Sequence, residues 1–305
     1  MNALDLDISL QPLDSILISD KRLELLVARL DLIDPLISGN KIFKLHYFIE
    51  EAIDTNKKTI VTCGGAYSNH LAATARFCKE KSLNCIGLVR GEEVDNLSHT
   101  LLQCKRDDMK LVYINRNLYS EIDQNNFMTF IPAELNHKLD DCFFIPEGGF
   151  HPLGAKGASL IMDKISTYTP THIITAIGTA TTLAGIVKHA KSGQKIIGIP
   201  VLKGMIDIET RIAALLPDCA YTPPVIFHDY HFGGYAKKTD PLLHFMNDFY
   251  LQYQIPTDFV YTGKMMFGVF DLIKKDYFPA GSSIICLHTG GLQGNLSLPK
   301  GSLVF

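Results

Sequence analysis

The chain has no tryptophan, no C-x-x-C pair, no apolar run of membrane-spanning length and no block of like charge, and each absence removes a class of function. Lysine and arginine number 29 against 32 acidic residues, a net charge of -3, so there is no basic surplus and nucleic acid is not expected as a partner. A spanning helix needs about 20 mainly apolar residues. No such run occurs, so no membrane partner is expected either. Residues 1–14 carry acids and lack the apolar stretch of a secretory signal, which points to a cytoplasmic protein. The seven cysteines are odd in number and lie mostly in apolar segments such as Ser283-Ile284-Ile285-Cys286-Leu287, as small buried hydrophobes of a reducing compartment do. Without H-E-x-x-H or a Cys/His cluster at zinc spacing, no metal is expected. Without G-x-G-x-x-G or G-x-x-x-x-G-K-[ST], dinucleotide and nucleoside-triphosphate sites are demoted, and the G-x-S-x-G elbow of hydrolases is missing too.

What the 305 residues do contain is alternation of strand-like and helix-like segments. Strands are expected at Thr59 to Cys63, Cys85 to Val89, Lys110 to Ile114, Cys142 to Pro146, Ile173 to Ile177, Ile196 to Val201, Val225 to His228 and Ser283 to His288. Apolar spacings of three and four predict helices over Leu71 to Lys81, Thr182 to Ala190, Leu242 to Tyr253 and Met265 to Lys274. The pattern argues for an α/β protein with parallel sheets flanked by helices. The Gly/Pro-rich passage Pro146-Glu147-Gly148-Gly149-Phe150-His151-Pro152-Leu153-Gly154 marks the main boundary. Residues 1–45 with 152–305 are expected to form a large domain and 46–151 a small α/β domain, with the turn before residue 41 at the cleft between them.

Three segments carry chemistry. In Ser38-Gly39-Asn40-Lys41-Ile42-Phe43-Lys44-Leu45, the apolar positions Ile42, Leu45, Phe48, Ile49 and Ala52 read as a helix with Lys41 at its start. A lysine held still and partly desolvated has a lowered pKa and a free lone pair, as carbonyl chemistry on its amine requires. The alternative makes Lys41 and Lys44 ordinary surface lysines of an amphipathic helix. Second, Ser68-Asn69-His70 begins 27 residues after Lys41 and follows Cys63-Gly64-Gly65-Ala66-Tyr67. Ser68 either presents its hydroxyl at a strand-to-helix turn or caps the helix, and Asn69 either caps or bonds a ligand oxygen. Third, Gly178-Thr179-Ala180-Thr181-Thr182 joins a strand to a helix. It reads as a phosphate cradle at a helix N-terminus or as a plain loop with capping threonines.

With Pro152-Leu153-Gly154, Ala184-Gly185, Tyr261-Thr262-Gly263-Lys264 and His288-Thr289-Gly290-Gly291, these segments in this order resemble the aminocyclopropane-carboxylate deaminase and D-cysteine desulfhydrase group of pyridoxal-phosphate enzymes, from about Arg29 to Gly291. The resemblance implies a two-domain fold of the tryptophan-synthase-β type (fold type II) and pyridoxal 5'-phosphate as cofactor. It makes the large domain the cofactor-binding one. It implies that Lys41 bonds the cofactor aldehyde, that Asn69 meets its phenolic oxygen, and that Gly178, Thr179, Ala180, Thr181 and Thr182 hold its phosphate. Ser68, Tyr261 and Tyr235 would face a small amino-acid substrate, Tyr235 on the weaker match Gly233-Gly234-Tyr235, whose alternative is a partly buried aromatic. A homodimer is expected on the same ground. The ring-opening branch resembles Tyr-Glu-Gly-Lys and His-Leu-Gly-Gly where this chain has Thr262 and Thr289, the desulfhydrase pattern. A hydroxyl near the ring nitrogen, unlike a carboxylate, does not hold that nitrogen protonated, which favours β-elimination over ring opening. The expectation is therefore a D-cysteine desulfhydrase, with 1-aminocyclopropane-1-carboxylate deaminase and a catalytically weak cofactor-binding homologue as alternatives. The chain departs from the pattern in its short segment before Lys41, in Tyr67 where glutamine is more usual, in the lack of tryptophan and over Gly91 to Asn125.

Overall fold

Apolar runs without polar alternation bury both faces of a strand, and the strands of this protein are used that way. The computed structural model describes residues 3–34, 37, 39–135 and 138–305; Ser38, which opens the lysine motif, lies outside the described residues. The strands are β1 Leu10–Pro12, β2 Glu24–Arg29, β3 Thr59–Gly65, β4 Asn84–Arg90, β5 Lys110–Ile114, β6 Cys142–Ile145, β7 His172–Ile177, β8 Lys195–Pro200, β9 Val225–Ile226 and β10 Ser283–His288. The α-helices are α1 Ile16–Asp20, α2 Lys41–Asp54, α3 Asn69–Glu80, α4 His99–Arg106, α5 Arg116–Tyr119, α6 Pro152–Lys164, α7 Thr181–His189, α8 Ile208–Leu215, α9 Asp240–Tyr253 and α10 Thr262–Lys274.

The strands form two sheets, one ordered β1-β2-β10-β7-β8-β9 and the other β5-β4-β3-β6. Only β1 pairs antiparallel; every other pairing is parallel. In β7 all positions are buried, and in β3 all but the last. The expected β-rich runs appear as strands with shifts of a residue or two at their ends. Two strands escape the sequence pattern. β1 has only three residues, and β2 is a short apolar run whose period suits helix or strand equally.

The Gly/Pro passage that reads as a boundary also conceals α6, whose Pro152 occupies the first turn, where its missing N–H costs nothing. The glycines of α6 serve close packing. A Cβ on Gly157 would lie 2.0 Å from the Phe43 carbonyl oxygen of α2, and one on Gly185 of α7 would lie 2.5 Å from the Ala155 oxygen of α6. Helices α2, α6 and α7 are thereby locked together, and the helix that starts at Lys41 is fixed against the large sheet's cover. The division expected at 45/46 falls inside α2, a continuous helix of 14 residues.

Candidate active site

The carboxyl ends of parallel strands face helix N-termini, where polar groups converge. Here the ends of β3, β4, β6, β7, β8 and β10, with the start of α2, enclose a cavity of about 390 Å³. Lys41, Ser68, Asn69, Gly178, Thr179, Ala180, Thr181, Thr182, Tyr235, Tyr261 and Thr289 all line it. The lysine turn is built against the β10 loop. Gly39 has φ +67, and a Cβ there would stand 2.0 Å from the Thr289 oxygen, so only glycine fits. The Asn40 N–H donates to that same oxygen at 3.3 Å.

Lys41 is half-buried, and its ammonium donates to Asn40 Oδ1 at 2.6 Å, while Asn40 Nδ2 donates to Thr182 Oγ1 at 2.7 Å. This chain of bonds ties the lysine to the threonine loop. Burial lowers the Lys41 pKa from 10.5 to about 8, against the opposing attraction of Asp258. Lys44, one turn on, is buried and lines the same cavity; burial first, and the Lys41 charge second, hold its pKa well below the ordinary lysine range. It is not the exposed lysine that an amphipathic surface helix would carry.

Ser68 accepts from the Leu71 N–H at 3.3 Å, so it caps α3 and lines the cavity at once. The two readings of its hydroxyl coexist. Asn69 lines the cavity with a buried Oδ1 that has no hydrogen-bond partner. His70 Nε2 lies 2.9 Å from Thr62 Oγ1, whose proton goes to the Ile145 oxygen. The ring proton therefore sits on Nε2 and leaves Nδ1 as a bare, buried acceptor. Burial, then Lys44 and Lys41, push the His70 pKa down to about 3, so it stays neutral.

Helix α7 starts from Ala180 at φ 67 with no side-chain cap, leaving the N–H groups of its first turn available to an anion. Thr179 and Thr181 hydroxyls, 2.9 Å apart, flank that turn. Tyr261 meets Tyr235 edge-on, centroids 6.1 Å apart, and burial raises the Tyr261 phenol so that it remains an O–H donor.

Thr262 is the one expected site residue that the structure does not bring to the cavity wall. Its hydroxyl donates to Asp258 Oδ1 at 2.7 Å and accepts from the Asp258 N–H at 2.8 Å. Asp258 is fully buried and also receives the N–H groups of Val260, Tyr261 and Thr262 at 2.8 to 2.9 Å. Its local pattern, an aspartate followed by a threonine four residues on at a helix start, is the signal that could have exposed it. Sequence reasoning also passed over Arg90, Glu147 and Arg211, which line the cavity. No metal-binding cluster occurs among the described residues, and no helix there is long and apolar enough to cross a membrane.

A partly neutral lysine opposite an uncapped helix N-terminus in a cavity between two parallel sheets defines a site for an aldehyde that carries an anionic group. The family model described as "Pyridoxal-phosphate dependent enzyme" matches residues 9–290, and the chain belongs to that family. A Pyrococcus horikoshii protein provisionally named 1-aminocyclopropane-1-carboxylate deaminase is 29% identical over 85% of this chain and 81% of its own. The mitochondrial bifunctional D-cysteine desulfhydrase/1-aminocyclopropane-1-carboxylate deaminase of Arabidopsis thaliana is 28% identical over 89% of this chain and 73% of its own. A crystal structure of an ACC deaminase homologue superposes with a TM-score of 0.80 at 27% identity, covering 97% of this chain and 92% of that one. The fold is type II of the pyridoxal-phosphate enzymes, and the protein is a pyridoxal-phosphate-dependent enzyme of lyase type. Its residues fit the cofactor: an amine for the aldehyde in Lys41 and an uncapped helix turn for the phosphate.

Proposed function

We propose that the protein is a β-eliminating lyase of small amino acids, with D-cysteine as substrate and pyruvate, hydrogen sulfide and ammonia as products. The observation that carries the reading is the Lys41 amine, lowered to about pKa 8 and tied through Asn40 to the Thr182 side of the α7 turn. Pyridoxal phosphate, when bound, withdraws electrons from the substrate Cα and makes its proton acidic. Lys41 holds the cofactor at its aldehyde and serves afterwards as the base at Cα. Residues 178–182 would hold the phosphate, and the Asn69 amide would bind the ring oxygen. Ser68 and Tyr261 orient the substrate carboxylate, with Tyr235 closing the mouth. Thiolate departs from Cβ, and the released enamine takes up water to give pyruvate and ammonia.

Position 262 carries threonine where the ring-opening pattern has glutamate, and position 289 carries threonine where it has leucine; both match the desulfhydrase pattern and support elimination as the first reading. The names of the relatives support 1-aminocyclopropane-1-carboxylate deaminase as the second reading. Residues 1–45 and 152–305 as the cofactor-binding domain, 46–151 as the small domain, and a homodimer as the working assembly are part of the same proposal.

The test is the absorption spectrum of the purified protein followed by addition of D-cysteine and, separately, 1-aminocyclopropane-1-carboxylate. A visible band that borohydride fixes on Lys41, with sulfide and pyruvate released, is the expected result. Release of 2-oxobutanoate alone transfers the assignment to the second reading. A Lys41→Ala variant that keeps the lysine-bound band overturns the role of Lys41, and a coloured protein silent on both substrates overturns the lyase assignment in favour of a cofactor-binding homologue.

A further inference from the structure

Four charged residues of the cavity wall have no part in that chemistry: Lys44, Arg211, which pairs with Asp207, Arg90, the last residue of β4, and Glu147, just beyond β6; the last two stand together at the wall's edge. Among the described residues the Arg90 and Glu147 side chains form no ion pair or hydrogen bond, with each other or with any neighbour. Arg90 is nonetheless steered. Its guanidinium lies over the Tyr119 ring, 5.4 Å from the centroid. It also reaches over Gly65, where an added Cβ would meet Nη2 at 3.4 Å. The cation is thus held above the strand edge from which the Ser68 loop departs, with its N–H donors free.

Arg90 and Glu147 also line a second cavity of about 390 Å³, with Cys63, Tyr119, Asp123 and Phe144 on its walls. They are the residues common to both cavities. A solvent-exposed guanidinium and a half-buried carboxylate without ion-pair partners, standing where two cavities meet, complement a ligand that brings one charge of each sign. Cysteine has no such charges beyond its α-amino and α-carboxylate groups, which the cofactor and the Ser68 loop already take.

We propose that Arg90 and Glu147 select the substrate by its leaving group: a β-substituted amino acid whose departing thiol carries a carboxylate for Arg90 and an ammonium for Glu147, reaching toward the second cavity. The chemical step rests on the β-elimination reading; the binding preference does not. The bond broken is still Cβ–S, its electron pair leaves on sulfur, and the proton taken from Cα balances the thiol released.

Carbon analogues that cannot eliminate separate the two claims. The holoenzyme is titrated by calorimetry with racemic norleucine, 2-aminopimelate, free lysine and 2,6-diaminopimelate, which present a neutral, an anionic, a cationic and a zwitterionic end at the same reach. Charge-assisted bonds at this half-open wall should favour 2,6-diaminopimelate over norleucine by about tenfold or more, with the singly charged ligands between. Arg90→Gln should erase the gain of 2-aminopimelate and leave that of lysine, and Glu147→Gln should do the reverse, so the untouched ligand in each variant reports an intact fold. Four equal affinities, four ligands that fail to bind, or a preference that survives both substitutions overturns the proposal. Absence of pyruvate from D-cysteine bears only on the reaction.

Discussion

The lowered pKa of Lys41 gives the site's first quantitative test. An amine must be neutral to attack an aldehyde. At pH 7.5 a lysine of pKa 10.5 is neutral in about one molecule in a thousand, whereas one near 8 is neutral in about one in four, an advantage on the order of 200-fold. The apoprotein is mixed with pyridoxal, which carries no phosphate to add its own charge, and the absorbance rise is followed by stopped flow from pH 6 to 11. The rate should climb with pH and level off above a midpoint near 8. The direction follows because burial disfavours the charged amine, so protons leave at lower pH than from a free lysine. Asp258 acts the other way, holding the proton on Lys41. Asp258→Asn keeps an oxygen for the Val260 and Tyr261 N–H groups, though not for that of Thr262, and should move the midpoint further down. A midpoint near 10.5, or an upward move in Asp258→Asn, would refute the claim that desolvation in this cavity activates the lysine.

Three other perturbations test the frame around it. Gly157→Ala puts a methyl against the Phe43 oxygen and should cost about 1 to 3 kcal/mol in urea unfolding while loosening α2 and slowing cofactor capture; unchanged stability would mean the α2–α6 crossing gives way freely. Ala180 holds a left-handed conformation that glycine adopts without strain, so Ala180→Gly should stabilise by up to about 1 kcal/mol, read as a rise in melting temperature. Thr262→Glu sets a second carboxylate beside buried Asp258 and removes the hydroxyl that donates to it. The loss should be roughly 3 kcal/mol or more near neutral pH and should shrink in acid, where the introduced carboxyl takes up a proton and the repulsion ends; a loss independent of pH would show that packing, not charge, sets the cost.

How far the sequence could be read depended on whether a signal was local. The α2 start at Lys41, the cap at Ser68 and the β7-to-α7 turn are written within a few residues each, and all three are where residue spacing puts them. α6 was hidden because its sequence answers to its neighbours: Gly154 and Gly157 look like helix breakers until the Gly149 and Phe43 carbonyl oxygens are found 2.1 and 2.0 Å from where their Cβ atoms would be. The same reason explains Thr262. Its neighbours in sequence suggest a residue beside the cofactor, but its hydroxyl is held by Asp258, a partner that no motif names. That partnership changes what position 262 can mean. A glutamate there would face a buried carboxylate, so the residue at 258 must be considered with the residue at 262. Any effect of position 262 on the reaction therefore has to be tested as a property of the Asp258–Thr262 pair. A substitution that tests the proposed elimination against ring opening has to change both residues, because Thr262→Glu alone first has to overcome Asp258.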